Sequence, residues 1–440
     1  MARTLLPTHG VGTRTALPVP FDYALSGAAV ALLVSFAALA VLWRTPRFRG
    51  DWSGAALPRE LSEFLDSAEM RFGLRLLGLA LTGFVAFADI VGPDVLSNPT
   101  AGFVYVVFWV GLVPASLLLG PVWRQLNPLR TIHWVLSHLL LLHRRRFVPR
   151  LPTWLGYWPA AASLFSFVWL ELCGPDRDSL STLRLYFCIY AGVHLSGALV
   201  FGPRWFGRCD GFEVFSTTIG RLSPFGRRVD GALVLRNPLE NLDTLPIAPG
   251  LAALLSVMLG STVFDSFSST YWWFTNVETP AMHPAVWDTL GLLASTLVVL
   301  AAFSLAARLT GRVAHQQSGA SASFAHSLVP IVVGYLMAHY FTLLLFVGQE
   351  TLIRASDPLV DGSNWFGTAH LQVNFGLLTV SAIATAEVVS IVTGHIAAVF
   401  SAHDRAVRLL PPRAAIVGQL PMMALMLAYT VGGLSLMLSG

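Results

Sequence analysis

Lysine is missing altogether: all 28 basic residues of this 440-residue chain are arginine. A GC-rich coding sequence accounts for that, and no mechanism follows from it. Charge of either sign is scarce, at 12% of residues, while 55% are hydrophobic. Soluble domains carry about 25% charged residues, so a water-soluble globule is excluded and lipid is the expected solvent. Cysteine is nearly absent. Cys173, Cys188 and Cys209 show no CxxC spacing, which excludes a disulfide framework or cysteine metal knuckle and leaves packed or lipid-facing thiols. No P-loop, GxSxG or dinucleotide fingerprint occurs in a fitting context, and the glycines at 207–211 and 226–231 are too irregular to cradle phosphate. The net charge of +4 is explained by arginines in inner loops of a membrane protein, so no nucleic-acid partner is expected.

What is present is a series of apolar runs. A membrane-crossing helix needs about 20 mostly apolar residues, and ten segments qualify: 23–43, 73–92, 102–122, 154–174, 182–202, 246–268, 285–307, 323–348, 374–400 and 416–438. The first is too long for a signal peptide and lacks a small-residue cleavage site, so it reads as an uncleaved anchor. Arginines crowd the segments after the first, third, fifth, seventh and ninth spans. The alternate loops 92–100, 174–181, 271–283 and 348–374 hold only Arg177 and Arg354. By the positive-inside rule every second loop is cytoplasmic, and both ends of the chain face outward. The expected fold is an all-α, polytopic transmembrane helix bundle of about ten spans. It forms a single transmembrane domain over 1–440, sits in the plasma membrane, and has the lipid bilayer as its first partner.

Two inner segments are more than connections. Residues 125–146 combine an apolar stripe with His133, His138, His143 and Arg144, Arg145 and Arg146, the pattern of a helix lying on the anionic inner surface. Residues 203–244 are too polar to span and are expected to fold as a cytoplasmic loop. The longest outer loop, 349–373, carries Asp357, Asp361, Trp365 and His370 and is placed to cover an outward cavity.

The second and fourth spans end alike, in Asp89-Ile90-Val91-Gly92-Pro93-Asp94 and Glu171-Leu172-Cys173-Gly174-Pro175-Asp176. The third and fifth also end alike, in Gly120-Pro121-Val122-Trp123 and Gly202-Pro203-Arg204-Trp205. Both pairs are offset by 82 residues. Gly-Pro as a helix stop explains each motif alone, and a common register points to a parallel repeat of a two-helix hairpin within 73–122 and 154–205.

Ionisable groups inside spans are costly and mark function. Asp89, Glu171, Asp265 and Asp288 all lie roughly 10 Å outward of their span midpoints at 1.5 Å per residue. His339 and Tyr340 stand just outward of the midplane, within reach of that layer. Carboxylates with an imidazole suit a hydrolytic metal centre in which a divalent ion, zinc or similar, activates water. Asp89, Glu171, Asp265 and His339 are the candidate ligands, with Asp265, His339 and Tyr340 as catalytic groups; interfacial capping is the plainer alternative for each acid. A deeper set, His194, His326, Glu387 and His395, reads as a buried polar path. His326 and His339 are 13 residues apart, near the spacing for two stacked haems, but no matching pair exists on a second helix. Met422, Met423, Met426 and Met437 would suit copper and equally fill a core. Haem or copper therefore stands behind the divalent ion.

The run Ala325-His326-Ser327-Leu328-Val329-Pro330 through Ala338-His339-Tyr340 and Gly348-Gln349 resembles a family of bacterial membrane proteins, the fenitrothion hydrolases. So do Gly394-His395, Ala402-His403, Gln419-Leu420-Pro421-Met422, Tyr429-Thr430, His9-Gly10 before Leu17-Pro18-Val19-Pro20, and Phe264-Asp265. The resemblance implies a bacterial membrane-bound hydrolase cleaving the aryl ester of an organophosphorus triester. It assigns no catalytic residue. Three readings stand: a metal-dependent phosphotriester hydrolase with a small-molecule substrate, a transporter with an intramembrane Glu/His path, and a haem or copper redox protein; a membrane partner subunit is compatible with each. A helix broken in mid-membrane would favour the transporter, with Pro330 as the expected break.

Overall fold

The computed structural model describes residues 17–141, 148–277, 283–313, 319–411 and 415–437. His9-Gly10, His143, the arginines 144–146 and Arg413, and the Met437 side chain, lie outside the described residues. Nine helices among those described are long and apolar enough to cross a bilayer, and the chain is a polytopic, all-α membrane protein.

The helices run as follows. α1 is Phe21–Leu42, α2 is Ala68–Val91, and α3 is Thr100–Leu119 with a π-helical middle at Phe103–Val110. α4 (Pro128–Leu139), α5 (Trp158–Cys173), α6 (Leu180–Phe201) and α7 (Gly211–Ile219) follow. Then come α8 (Pro238–Asp243), α9 (Leu251–Ser268), α10 (Pro284–Val313) and α11 (Leu328–His339). α12 (Gly348–Arg354), α13 (Val380–Leu409) and α14 (Leu420–Met437) complete the order. The segment expected to span at 154–174 is the short one: α5 has 16 residues, about 24 Å, and is not among the nine. The eighth span, expected to run 323–348, is continuous through Pro330 and ends instead at His339. It resumes as a π-helical turn at Leu343–Val347 before α12. Proline falls in the first turn of α11, where its missing N–H and fixed φ are tolerated.

Contacts gather the chain into two compact units, Met1–Ser53 with Leu239–Leu343 and Phe375–Gly440, and Gly54–Pro238 with Leu344–Asn374. The first holds α1, α9, α10, α11, α13 and α14. Its tightest pairing is α11 with α13. A Cβ added at Gly334 would lie 2.5 Å from the Ser390 carbonyl oxygen, and one at Gly394 would lie 2.4 Å from the Pro330 carbonyl oxygen. Without hydrophobic drive between helices in lipid, such small residues let backbones touch. Ala28, Tyr335, Ala338, Ile391 and Leu434 pack beside this contact and tie α1 and α14 to it. α9 is buried continuously from Leu251 to Thr262, as an all-round apolar helix inside a bundle must be.

The second unit holds α2 to α7 and α12. Ser67 and Ser179 cap α2 and α6 by accepting from Met70 N and Thr182 N. α3 and α6 each end on a left-handed glycine before proline, Gly120 at φ +82° and Gly202 at φ +74°, a conformation that lacks a Cβ penalty only for glycine. Each is followed by a four-residue helix, then by an Asn or Asp cap: Asn127 accepts from Leu129 N, and Asp210 from Glu213 N. Phe167 and Phe212 pack at 4.9 Å with Trp109 beside them. α4 buries Thr131 and His133 and leaves Ile132, Trp134, Val135 and Leu139 exposed, the one-sided pattern expected of a surface-lying helix. The 203–244 segment is folded. It contributes α7 and strands β2 (Phe225–Arg227) and β3 (Leu233–Leu235), which join β1 (Ala55–Ala56) in the order β1-β3-β2.

Candidate functional site

The α11–α13 seam carries the polar groups of the first unit. Apolar residues of α13 recur at helical spacing (Ile383, Ala384, Ile391, Ala398), so Glu387 and His395, on the same stripe, are carried inward with them. Both are 1% exposed. At one end of the seam, His339 Nε2 donates to Asp265 Oδ2 across 2.7 Å, which joins the last residue of α11 to α9. The Tyr340 ring meets the His339 ring edge-on at 4.7 Å, and the Tyr335 ring stacks at 6.1 Å. Glu387 stands across the seam, near enough to His339 for their charges to interact.

Backbone bonds fix the histidine tautomers further along. His395 Nδ1 donates to the Ile391 carbonyl at 2.9 Å, and His326 Nε2 donates to the Ser401 carbonyl at 3.3 Å. A neutral imidazole that donates from one nitrogen keeps a lone pair on the other. Those others, His395 Nε2 and His326 Nδ1, have no hydrogen-bond partner among the described residues, nor has Glu387 Oε1. Buried polar atoms in native proteins are nearly always satisfied, so three on one seam need a reason. Along α13, Glu387 to His395 is about 12 Å, and His395 to the Ser401 turn that His326 touches is about 9 Å.

The other site residues divide between the units. Of the candidate metal ligands, Asp265 and His339 belong to the first unit and Asp89 and Glu171 to the second. Asp288 is buried on α10 in the first. Among the described residues no three of His, Cys, Asp and Glu gather closely enough to hold an ion. Asp89 is engaged by Arg184, whose Nε donates to Oδ2 at 2.8 Å and whose Nη2 donates to the Asp89 carbonyl at 2.5 Å. The Glu171 carbonyl accepts from Arg177 at 2.6 Å. His194, grouped by sequence with His326, Glu387 and His395, lies in the second unit. Trp205 Nε1 donates to its Nδ1 at 3.1 Å, and its Nε2 meets Ser163 Oγ at 3.2 Å. Met422, Met423 and Met426 line a small apolar chamber with Phe36, Phe324, Val399, Ala402 and Gln419. In the 349–373 loop the Asp357 carboxylate accepts from Asp361 N and Gly362 N, shaping the turn.

Sequence reasoning missed one cluster entirely. Asp210, 1% exposed, accepts from Tyr190 Oη at 2.6 Å, Asn127 Nδ2 at 2.9 Å and Glu213 N at 3.1 Å. Arg130 grips Glu213 through both Nε and Nη2, each at 2.5 Å. Burial pushes both carboxyls above their usual range, against the pull of these donors. The signal in the sequence was the pair of Asx caps, Asn127-Pro128 and Asp210-Gly211, each opening a helix after a Gly-Pro-x-Trp stop.

No protein-family model, no curated protein and no solved structure matches this chain.

Proposed function

We propose that the α11–α13 seam is a proton path and that the protein is a proton-conducting membrane transporter. The observation that carries this reading is the set of three unengaged acceptor atoms on one buried seam: Glu387 Oε1, His395 Nε2 and His326 Nδ1. Each can take a proton and pass it on without breaking a backbone bond, because the opposite nitrogen of each histidine holds the ring. The Asp265–His339 pair supplies the outer acceptor. From Glu387 to Arg405 the seam covers about 27 Å along α13, close to the roughly 30 Å hydrocarbon thickness. Gaps of 9–12 Å need water, so conduction requires the seam to hydrate, and the break after His339 is where α11 can yield.

The orientation with both ends outward, from the alternate-loop arginines, belongs to this reading, as does the bacterial plasma membrane. So does the parallel hairpin repeat, which the shared 82-residue offset and the matching left-handed Gly120 and Gly202 support. Proteoliposomes enclosing a pH dye test the path. Glu387→Gln should cut proton flux at least tenfold under an imposed gradient, and unchanged flux in E387Q and H395A together would sink it.

The Asp265–His339 pair favours a second reading. A carboxylate 2.7 Å from an imidazole orients a general base, which a hydrolase of organophosphorus triesters, with or without a divalent metal ion, would use with Tyr340 beside it. Turnover of an aryl phosphotriester by purified protein, lost in H339A, would support this reading; no turnover in the parent would end it.

A further inference from the structure

Resting on the proton-path reading, we infer that the ion pair between Asp243 and Arg405 is the inner gate of the seam, closing His326 off from the cytoplasm. The pair lies where the path must exit. Arg405 is one turn beyond Ser401, whose carbonyl holds His326, and His326 is close enough to feel the charges of both Arg405 and Asp243. Arg405 Nη2 donates to Asp243 Oδ1 at 2.7 Å, and Arg408 Nη1 donates to Asp243 Oδ2 at 2.9 Å. The Asp243 and Arg405 side chains are only 6% and 8% exposed.

Geometry makes this closure a ring rather than a lone pair. Arg408 also donates to the Phe48 carbonyl at 2.8 Å and to Asp404 Oδ2 at 3.0 Å. Asp404 Oδ1 accepts from Trp43 Nε1 at 2.9 Å and from Arg47 N at 2.6 Å. His403 donates through Nε2 to the Trp43 carbonyl at 2.9 Å, and its Nδ1 meets Gln419 Oε1 at 3.1 Å. The segment after α1, the end of α8, the end of α13 and the start of α14 are thereby pinned around one point. Burial alone would raise the Asp243 carboxyl, but the two guanidiniums outweigh it and hold it below the usual range. The carboxylate is charged at physiological pH, and the ring is shut in this structure.

A ring meant only for stability would be cheaper in apolar side chains, since a buried ion pair often contributes little over a well-packed hydrophobic replacement. What an ion pair adds is two discrete arrangements. When Asp243 lets go of Arg405, Arg408 still holds it, so the ring can open at one link without coming apart. Arg405 Nε, which has no hydrogen-bond partner among the described residues, marks the guanidinium as held at one edge only.

Cysteine accessibility tests the gate directly. In a chain with Cys173, Cys188 and Cys209 replaced by serine, Ser327→Cys places a thiol beside His326 at a fully buried position. In inside-out vesicles a membrane-impermeant maleimide should leave S327C nearly unlabelled. Asp243→Asn should raise the labelling rate at least tenfold, whereas Asp243→Glu, which keeps a carboxylate for both Arg405 and Arg408, should stay protected. Arg405→Gln, which leaves Asp243 on Arg408, gives the same reading if D243N does not fold. Protection unchanged in a folded D243N or R405Q would overturn the gate. Labelling that rises while no variant conducts protons would keep the gate and remove the proton path. Flux that depends on Glu387 with labelling unmoved would keep the path and remove the gate.

Discussion

Two buried polar clusters, one in each unit, are bonded differently. In the second, Asp210, Glu213, Arg130, Asn127 and Tyr190 form a closed set in which each carboxylate meets several donors. In the first, Glu387, His395 and His326 each keep an acceptor atom without a partner among the described residues. A satisfied network fixes geometry; an unsatisfied one leaves an atom free to take a water or a proton. The position of an ionisable residue in the membrane therefore says less about function than whether its bonds are complete.

That contrast can be broken most sharply at Arg130. Arg130→Ala strands Glu213, which is 1% exposed, and should cost about 3–5 kcal/mol, read as a large fall in the thermal midpoint in detergent. Glu387→Leu should move the other way, stabilising by about 1–3 kcal/mol, because it removes a buried group with unmet bonding, while proton flux is lost. A destabilised E387L would erase the distinction between the two clusters. Gly394→Ala brings a methyl within contact of the Pro330 carbonyl and should cost about 1–3 kcal/mol by overpacking, with flux reduced in step. Ser216→Ala breaks the 2.8 Å bond with Ser116 and should cost about 1 kcal/mol with flux untouched. Acidification sharpens the ring around Asp243. Its carboxyl is held below the ordinary range, so its contribution is present above that range and is lost as pH falls through its lowered value; unfolding should be easier there, and equally easy at both pH values in D243N.

Hydropathy made the spans legible because every residue of a lipid-facing helix contributes to the signal. The run at 154–174 reads as a span like the others, and α5 falls short of one by length, at 16 residues. Pairings were not legible. Asp89 looked like part of an outward acidic layer, yet Arg184, 95 residues away, occupies it; no local pattern announces such a partner. Asp210 and Glu213 sat in a stretch rich in glycine and arginine, expected to fold as a cytoplasmic loop, and their burial was not legible because burial of a polar segment depends on what folds over it. The seam residues were found for the opposite reason: Glu387, His395 and His326 lie in long apolar runs, where a single ionisable group is conspicuous. Only the structure separates His194 from them. The break expected at Pro330 came nine residues later, at His339, because a proline in a first turn costs a helix nothing.

The touching backbones at Gly334 and Gly394 have a mechanical consequence. Two helices in van der Waals contact through carbonyl oxygens and Cα atoms have no side chains there to give way, so they cannot be pressed closer at that level. For a tilt of one against the other, the contact would serve as a fulcrum. α13 extends about 10 Å from it to Glu387 and about 16 Å to Arg405. A tilt of about 10° would carry the Arg405 arm by about 3 Å, enough to part a hydrogen bond, and the shorter Glu387 arm by about 2 Å in the opposite sense. A lever so divided loosens one end while pressing on the other.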